Sequence, residues 1–244
     1  MRKSQIFHHL TKEKKFTFPP SDSKDWPIEW KTIYYKSYPR LESIKLDNYV
    51  LPLRGSLKDV LIKRRSFRDF KQKPISANKL ATLLKYSAGI TSTDGKRAYP
   101  SGGARYPLEI YPLVLRGDDV LGPGLYHYNV LDNSLEILWK RDIISEKDGR
   151  FQGLFLYPWV WNAAVVIFIT AIFERTQCKY GERGYRIILT DAGHLCQNFY
   201  LVCTALNLGG CALYGFAEEM VDEILDIDGI NESTIYAFVV GPKK

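Results

Sequence analysis

The stretch Val165-Val166-Ile167-Phe168-Ile169-Thr170 restricts the fold more than any other part of the chain. Apart from Thr170, both alternating sets of side chains in it are apolar. It therefore reads as a strand buried on both faces, which demands a packed layer on either side of its sheet. The window around it, Val160 to Phe173, spans 14 residues and contains Asn162. That is too short to cross a bilayer, and the N-terminal MRKSQIFHHLTKEKK lacks the apolar run of a signal peptide. The expectation is a cytoplasmic protein with no membrane partner.

A helix running from a Thr190 cap to about Asn207 is expected to supply one covering layer. Its stripe Ala192, Leu195, Cys196, Phe199, Val202, Cys203 and Leu206 follows helical spacing, and Gly209 reads as its stop. Ser56 is placed to cap a short helix through Arg64. Ser76 is placed to cap another, with the stripe Leu80, Leu83, Leu84, Ala88 closed by Gly89. A further short helix is expected over Glu218 to Leu225. Strands are expected at Ile110 to Leu115, Gly124 to Val130, Leu135 to Trp139 and Ile235 to Val240, with turns at Gly117-Asp118, Gly122-Pro123-Gly124 and Asp132-Asn133. The pattern is α+β. Residues 1–52, punctuated by Pro19, Pro20, Pro27, Pro39 and Pro52 and rich in aromatics such as Trp26, Trp30, Tyr34 and Tyr35, show no sustained helical period. They read as an arm preceding a domain of residues 53–244.

Composition narrows the function classes. With 45% hydrophobic residues in 244 the chain has material for a sizeable core, and 5 Trp, 16 Tyr and 12 Phe supply flat surface on which a planar ligand can stack. The charge is uneven: residues 1–75 carry 18 basic against 8 acidic side chains, the remainder 16 against 19. Such a local field suits a phosphate or an acidic peptide. Nucleic acid is ranked last, because no recognised binding module accompanies the charge. Cys178, Cys196, Cys203 and Cys211 form no C-x-x-C and read as reduced residues. The four histidines make no H-E-x-x-H, so no metal site is expected.

Three segments hold more than folding requires. In Arg64-Arg65-Ser66-Phe67-Arg68-Asp69-Phe70 three guanidinium groups and a hydroxyl gather at a helix C-terminus. The helix dipole accounts for one arginine there, whereas three with a serine suit a dianionic phosphate. In Tyr99-Pro100-Ser101-Gly102-Gly103-Ala104-Arg105-Tyr106-Pro107, glycines between prolines let backbone approach a ligand. This loop is neither a Walker loop nor a dinucleotide fingerprint. In Lys179-Tyr180-Gly181-Glu182-Arg183-Gly184-Tyr185-Arg186, read as a polar loop, the Lys-Tyr pair acts in proton transfer if burial depresses the lysine.

Taken in order, R-R-S-F-R-D-F, Y-P-S-G-G-A-R-Y-P-L-E-I-Y, G-L-Y-H-Y and K-Y-G-E-R-G-Y-R with D-A-G-H-L-C-Q-N-F-Y-L resemble the SagB-type branch of the nitroreductase superfamily over roughly residues 53–242. That branch includes the dehydrogenases that form thiazoles and oxazoles in ribosomal peptides. The resemblance implies a nitroreductase-like α+β fold, a central mostly antiparallel sheet flanked by helices, forming a homodimer with FMN at the subunit interface. Arg64, Arg65, Ser66 and Arg68 would hold the phosphate, ribityl chain and pyrimidine edge. Pro100, Ser101, Gly102 and Gly103 would line the flavin from the partner subunit, Leu213, Tyr214 and Gly215 would lie near N5, and Lys243 would add charge beside the phosphate. Lys179 and Tyr180 would be catalytic. The implied reaction takes a proton from the azoline Cα and passes hydride from the neighbouring carbon to N5, with oxygen reoxidising the flavin. A peptide is then the substrate and a cyclodehydratase a partner. Gly102 and Arg105 stand where many relatives have Ala and Leu, and put a guanidinium near the substrate face. With the chain stopping at Lys244, the resemblance further implies that the longer C-terminal tail of ordinary nitroreductases is missing, as it often is in this branch.

Two alternatives stay open at this stage. One is a reductase that draws on NAD(P)H to reduce quinones or nitroaromatics. The other is a non-catalytic scaffold of a peptide-modifying complex. Intact Arg64, Ser66, Arg68, Lys179 and Tyr180 weigh against the scaffold.

Overall fold

The two-faced strand sits inside a seven-stranded sheet. In the computed structural model, which describes residues 2–12, 23–146 and 149–244, the strands are β1 (Ser43–Lys45), β2 (Leu108–Val114), β3 (Gly124–Asn129), β4 (Ser134–Lys140), β5 (Val165–Ile172), β6 (Gly209–Leu213) and β7 (Glu232–Gly241). Their order across the sheet is β1-β4-β3-β2-β5-β7-β6, and every pairing among the described residues is antiparallel. The expected α+β class with a central antiparallel sheet is therefore what the chain forms.

The alternation within β5 divides the core. Val165, Ile167 and Ile169 pack toward α4 (Ala77–Ala88) and α6 (Gly184–Ala205), while Val166 and Phe168 pack on the opposite face with Phe155, Val160 and α7 (Glu218–Leu225). With both faces covered, each of these side chains is lost to water, and truncating Phe168 to alanine is expected to cost about 3–5 kcal/mol. Ser56 and Ser76 cap α3 (Leu57–Lys63) and α4 by accepting the backbone N–H groups of Asp59 and Lys79. The remaining helices are α1 (Lys3–Leu10), α2 (Ile28–Lys31) and α5 (Glu174–Tyr180). No helix among the described residues is long and apolar enough to cross a membrane.

Four expectations need correction. The long helix begins at Gly184, six residues before Thr190, because buried Ile188 continues the core stripe toward the N-terminus. Thr190 is an interior residue whose hydroxyl donates to the Ile187 carbonyl. The helix ends at Ala205 and turns through Asn207 at φ 54°, so its stop is Asn207. Gly209 already belongs to β6. The turn placed after Cys211 is likewise strand as far as Leu213, with Tyr214 and Gly215 following it. The glycines that hid this strand are there for clearance: a Cβ at Gly209 would stand 2.6 Å from Phe67 Cδ1, and one at Gly210 would stand 2.6 Å from Phe238 Cζ. Finally, Lys179 and Tyr180 are not in a loop but close α5, whose buried residues, Arg175 and Thr176, are polar and give no apolar period.

Within residues 1–52, Lys3–Leu10 and Ile28–Lys31 are helical, and Ser43–Lys45 pairs with β4 as an edge strand of the sheet. Pro19 and Pro20 lie outside the described residues. The four cysteines are unpaired thiols, and all but Cys178 are buried.

Candidate cofactor and active site

The end of α3 brings the first cluster onto α6. The Arg64 guanidinium lies 5.2 Å from the centroid of the Tyr200 ring, and Ser66 Oγ shares a 2.9 Å hydrogen bond with the Tyr200 hydroxyl. That hydroxyl also accepts the Ala212 backbone N–H at 2.9 Å, tying the Ser66 segment to β6. Two hydroxyl protons serve one Ser66–Tyr200 bond, so one of them remains to be donated to a ligand. Arg65 folds back onto the carbonyls of Ile62 and Arg64, at 2.8 and 2.7 Å. It shares the lining of a cavity of about 150 Å³ with Lys63, Thr204, Gly210 and Lys243. Lys243 donates to Asn207 Oδ1 at 3.3 Å. Three cationic groups, Lys63, Arg65 and Lys243, thus share this cavity, while the Thr204 hydroxyl in its wall donates to the Tyr200 carbonyl at 2.8 Å. Arg68 is exposed and makes no hydrogen bond among the described residues.

The second cluster is the turn Ser101–Arg105. Ser101 Oγ donates to Asp191 Oδ2 at 2.6 Å and accepts the Tyr106 N–H at 2.9 Å, while the Gly102 N–H donates to Asp191 Oδ1 at 3.3 Å. The Ser101 side chain is consequently spent inside the protein, and the turn presents backbone to any ligand. Burial pushes the Asp191 carboxyl up, opposed by these two donors. The turn is strained: Gly103, Ala104 and Tyr106 have φ of 63°, 54° and 46°. An aromatic residue in the left-handed region persists only where its surroundings over-determine it. Tyr106 qualifies, since its carbonyl accepts from Arg175 and its hydroxyl accepts the Arg97 N–H. Arg105 does not face a substrate as expected. It is 2% exposed and donates through Nε to the Gly103 carbonyl at 3.1 Å and through a terminal nitrogen to the Glu29 carbonyl.

The third cluster meets the second. A Cβ at Gly103 would stand 2.5 Å from the Tyr180 hydroxyl and 3.3 Å from Lys179 Nζ, so these two polar ends lie against the glycine turn. Burial and the nearby Arg105 charge push the Lys179 amine down, whereas burial pushes the Tyr180 phenol up. The helix carrying both is fixed from below. Arg175, one turn earlier, donates to Glu109, and Glu109 accepts from His127 Nε2 at 3.0 Å. His127 Nδ1 faces Glu136 at 2.8 Å, and the imidazole is fully buried. On the far side of α5, a cavity of about 620 Å³ opens between Glu174, Arg175, Cys178 and the arm residues Tyr34, Tyr35 and Lys36.

The first and second clusters are apart within one chain. Their anchors on α6, Tyr200 and Asp191, are nine residues apart, a rise of roughly 13 Å. Leu213 is buried at the end of β6. Tyr214 is 69% exposed and stacks on Tyr236 at 4.2 Å, and Gly215 leaves room for the Tyr157 ring. Sequence reasoning missed Lys63, Asp191 and Tyr200 as site residues. Asp191 and Tyr200 lie within the D-A-G-H and N-F-Y segments that carried the resemblance, and only their contacts assign them a role.

The antiparallel α+β fold is that of the nitroreductases, and the chain belongs to the nitroreductase family, whose pattern matches residues 61–242. It is accordingly an oxidoreductase of a family whose members typically bind FMN. MJ1384 of Methanocaldococcus jannaschii, which carries a nitroreductase name, is 36% identical over 193 residues, covering 78% of this chain and 88% of that protein. The trifolitoxin-processing protein TfxB of Rhizobium leguminosarum bv. trifolii is 31% identical over 177 residues, covering 68% of this chain and 47% of TfxB. A protein crystallised as a nitroreductase from Anabaena variabilis superposes with a TM-score of 0.72 at 27% identity, over 97% of this chain and 45% of that one. A chain of the E. coli microcin synthetase McbBCD complex superposes with a TM-score of 0.64 at 20% identity, over 99% of this chain and 92% of that one, and shares the fold.

Proposed function

We propose that the protein is an FMN-dependent dehydrogenase of the SagB-type branch, a cytoplasmic homodimer that oxidises thiazolines or oxazolines in a ribosomal peptide to thiazoles or oxazoles. The observation that carries this reading is the Gly103 turn, on which Lys179 Nζ and the Tyr180 hydroxyl both abut. A reductase that only passes electrons from a nicotinamide to an acceptor needs no such pair, whereas aromatising an azoline needs a group to take the Cα proton. The name of TfxB, a protein that processes a peptide toxin, supports the substrate class. A cyclodehydratase that makes the azoline is the matching partner.

The residues fit the cofactor. Lys63, Arg65 and Lys243 suit its phosphate, and Arg64, Arg68 and the hydroxyl proton left over at Ser66–Tyr200 suit its ribityl chain and pyrimidine edge. Leu213, Tyr214 and Gly215 complete one wall. Pro100, Ser101, Gly102 and Gly103 serve the partner protomer's cofactor, which agrees with the distance between the two anchors on α6. The exposed apolar side chains of α3, Leu57, Leu61 and Ile62, between 51% and 68% exposed, suit burial between protomers. When bound, FMN supplies the two-electron acceptor, and oxygen regenerates it. Lys179, pushed down by burial and by Arg105, receives the Cα proton at Nζ. Tyr180, pushed up, stays protonated and donates to the ring heteroatom.

Absorption of the purified protein, followed by anaerobic mixing with a thiazoline peptide or with NADPH, tests this. Bleaching of a flavin band by the peptide alone, abolished in Lys179→Ala with flavin content retained, is expected. Bleaching by NADPH alone would replace this reading with the reductase, and a colourless protein that takes up no FMN would leave the scaffold.

A further inference from the structure

The arm residues Trp26 and Trp30 belong to no motif in the sequence, yet they enclose Lys179. Its Nζ lies 4.1 Å from the centroid of the Trp26 ring and 5.6 Å from that of Trp30, with the Tyr180 ring at 5.7 Å. The two indoles meet at 69° with centroids 6.1 Å apart, forming a corner of two aromatic faces. This corner is anchored on both sides of the lysine. The Trp30 Nε1–H donates to the Cys178 carbonyl at 3.1 Å, at the last turn of α5. One residue earlier, the Glu29 carbonyl accepts from Arg105, whose Nε holds the Gly103 carbonyl. Arm, Arg105, Gly103 turn and Lys179 therefore close into one circuit.

We propose that Trp26 and Trp30 are positioning residues of the site, whose ring faces hold the Lys179 ammonium against the Gly103 turn and oppose the repulsion of Arg105, so that the arm sets how readily the amine gives up its proton. The proposal deepens the reading of Lys179 as a proton-transfer group and rests on it. An indole face attracts a cation and has no such hold on a neutral amine, so the corner favours the protonated form. Against it act the loss of water around Nζ and the fixed charge of Arg105. The other groups around it are the Cys178 thiol and Tyr180 phenol on α5, and Asp191 on α6 acts on Tyr180. The ring faces and the pair of burial and Arg105 thus act on the same proton in opposite directions.

The test compares full-length Trp26→Leu and Trp26→Phe proteins with the parent. Leucine keeps apolar cover over Nζ and removes the π face, and phenylalanine restores a weaker one. Trace acetylation at several pH values between about 6 and 10 reads the amine form of Lys179 by peptide mass spectrometry, with exposed Lys140 as internal standard. Below the titration midpoint the Leu variant is expected to label Lys179 about two- to fivefold faster, with the Phe variant returning toward the parent. Coincident labelling of Leu variant and parent, or of Leu and Phe variants, would overturn the proposal. In the parent protein, the Lys179 Cε protons should resonate upfield through the indole ring currents, and an unshifted signal would overturn it without any variant. If labelling shifts while the acidic limb of peptide oxidation does not, the aromatic corner stands and Lys179 is removed from proton transfer.

Discussion

Replacing His127 with glutamine removes the positive charge between two buried carboxylates. Both ring nitrogens face carboxylate oxygens, 2.8 Å to Glu136 and 3.0 Å to Glu109, and ionised carboxylates only accept, so both nitrogens carry protons and the ring is an imidazolium. Burial works against this charge, but the two glutamates hold the imidazole above its usual value. Against the same burial, His127 and Arg175 hold the Glu109 carboxyl down at about 2. With Arg175 included, two cations meet two anions. Glutamine leaves the group one charge short, a loss of about 3–5 kcal/mol for a broken buried pair. In a chain of this size that lowers Tm by roughly 6–20 °C. The sign with pH follows from the raised imidazole. Its stabilisation is complete below the unfolded value of about 6.5 and is lost as pH climbs through the higher folded value. Thermal melts followed by circular dichroism should show the parent losing stability across that alkaline interval and His127→Gln losing the dependence. A variant that melts within about 2 °C of the parent, with the same pH slope, would refute the charged-ring account.

Tyr200→Phe deprives both Ser66 and the Ala212 N–H of a partner, and FMN affinity, read by quenching of flavin fluorescence, is expected to fall about three- to tenfold. Asp191→Ala strands the Ser101 hydroxyl and the Gly102 N–H; a loss of about 2–4 kcal/mol in urea unfolding is expected, with Asp191→Asn costing less because one carbonyl acceptor remains. Gly103→Ala meets both a φ of 63° and the Tyr180 hydroxyl 2.5 Å from the new Cβ, so turnover per bound flavin, measured on a thiazoline peptide, is expected to drop at least about tenfold.

What could be read from residues alone followed from how each element buries itself. β5, α4 and α7 bury apolar side chains at the period of their own backbone, so their places were legible. α5 buries Arg175 and Thr176 instead, held by partners distant in sequence, and β6 needs glycines because aromatic rings from elsewhere press on its backbone. Neither cause exists in the local sequence. The site divides the same way. Arg64, Ser66, Gly103, Lys179 and Tyr180 stood out as residue types in unusual company, but the abutment of Lys179 on Gly103 depends on the packing of α5. Asp191 and Tyr200 were masked by a helix that otherwise reads as core, and Arg105 looked like a substrate-facing charge because the Glu29 carbonyl that takes it lies 76 residues away.

The outer edge of β6 has a consequence for solubility. On that side the Gly210 carbonyl accepts the Phe67 N–H at 2.9 Å and the Ala212 N–H is taken by Tyr200. The stretch beginning at Arg64 thus shields main-chain groups that would otherwise template pairing with another molecule. A residue lost from this stretch uncovers a strand edge as well as a ligand contact. Variants there should precipitate in preparations stripped of ligand, and a bound ligand that stiffens the stretch should keep the sheet from joining its neighbours end to end.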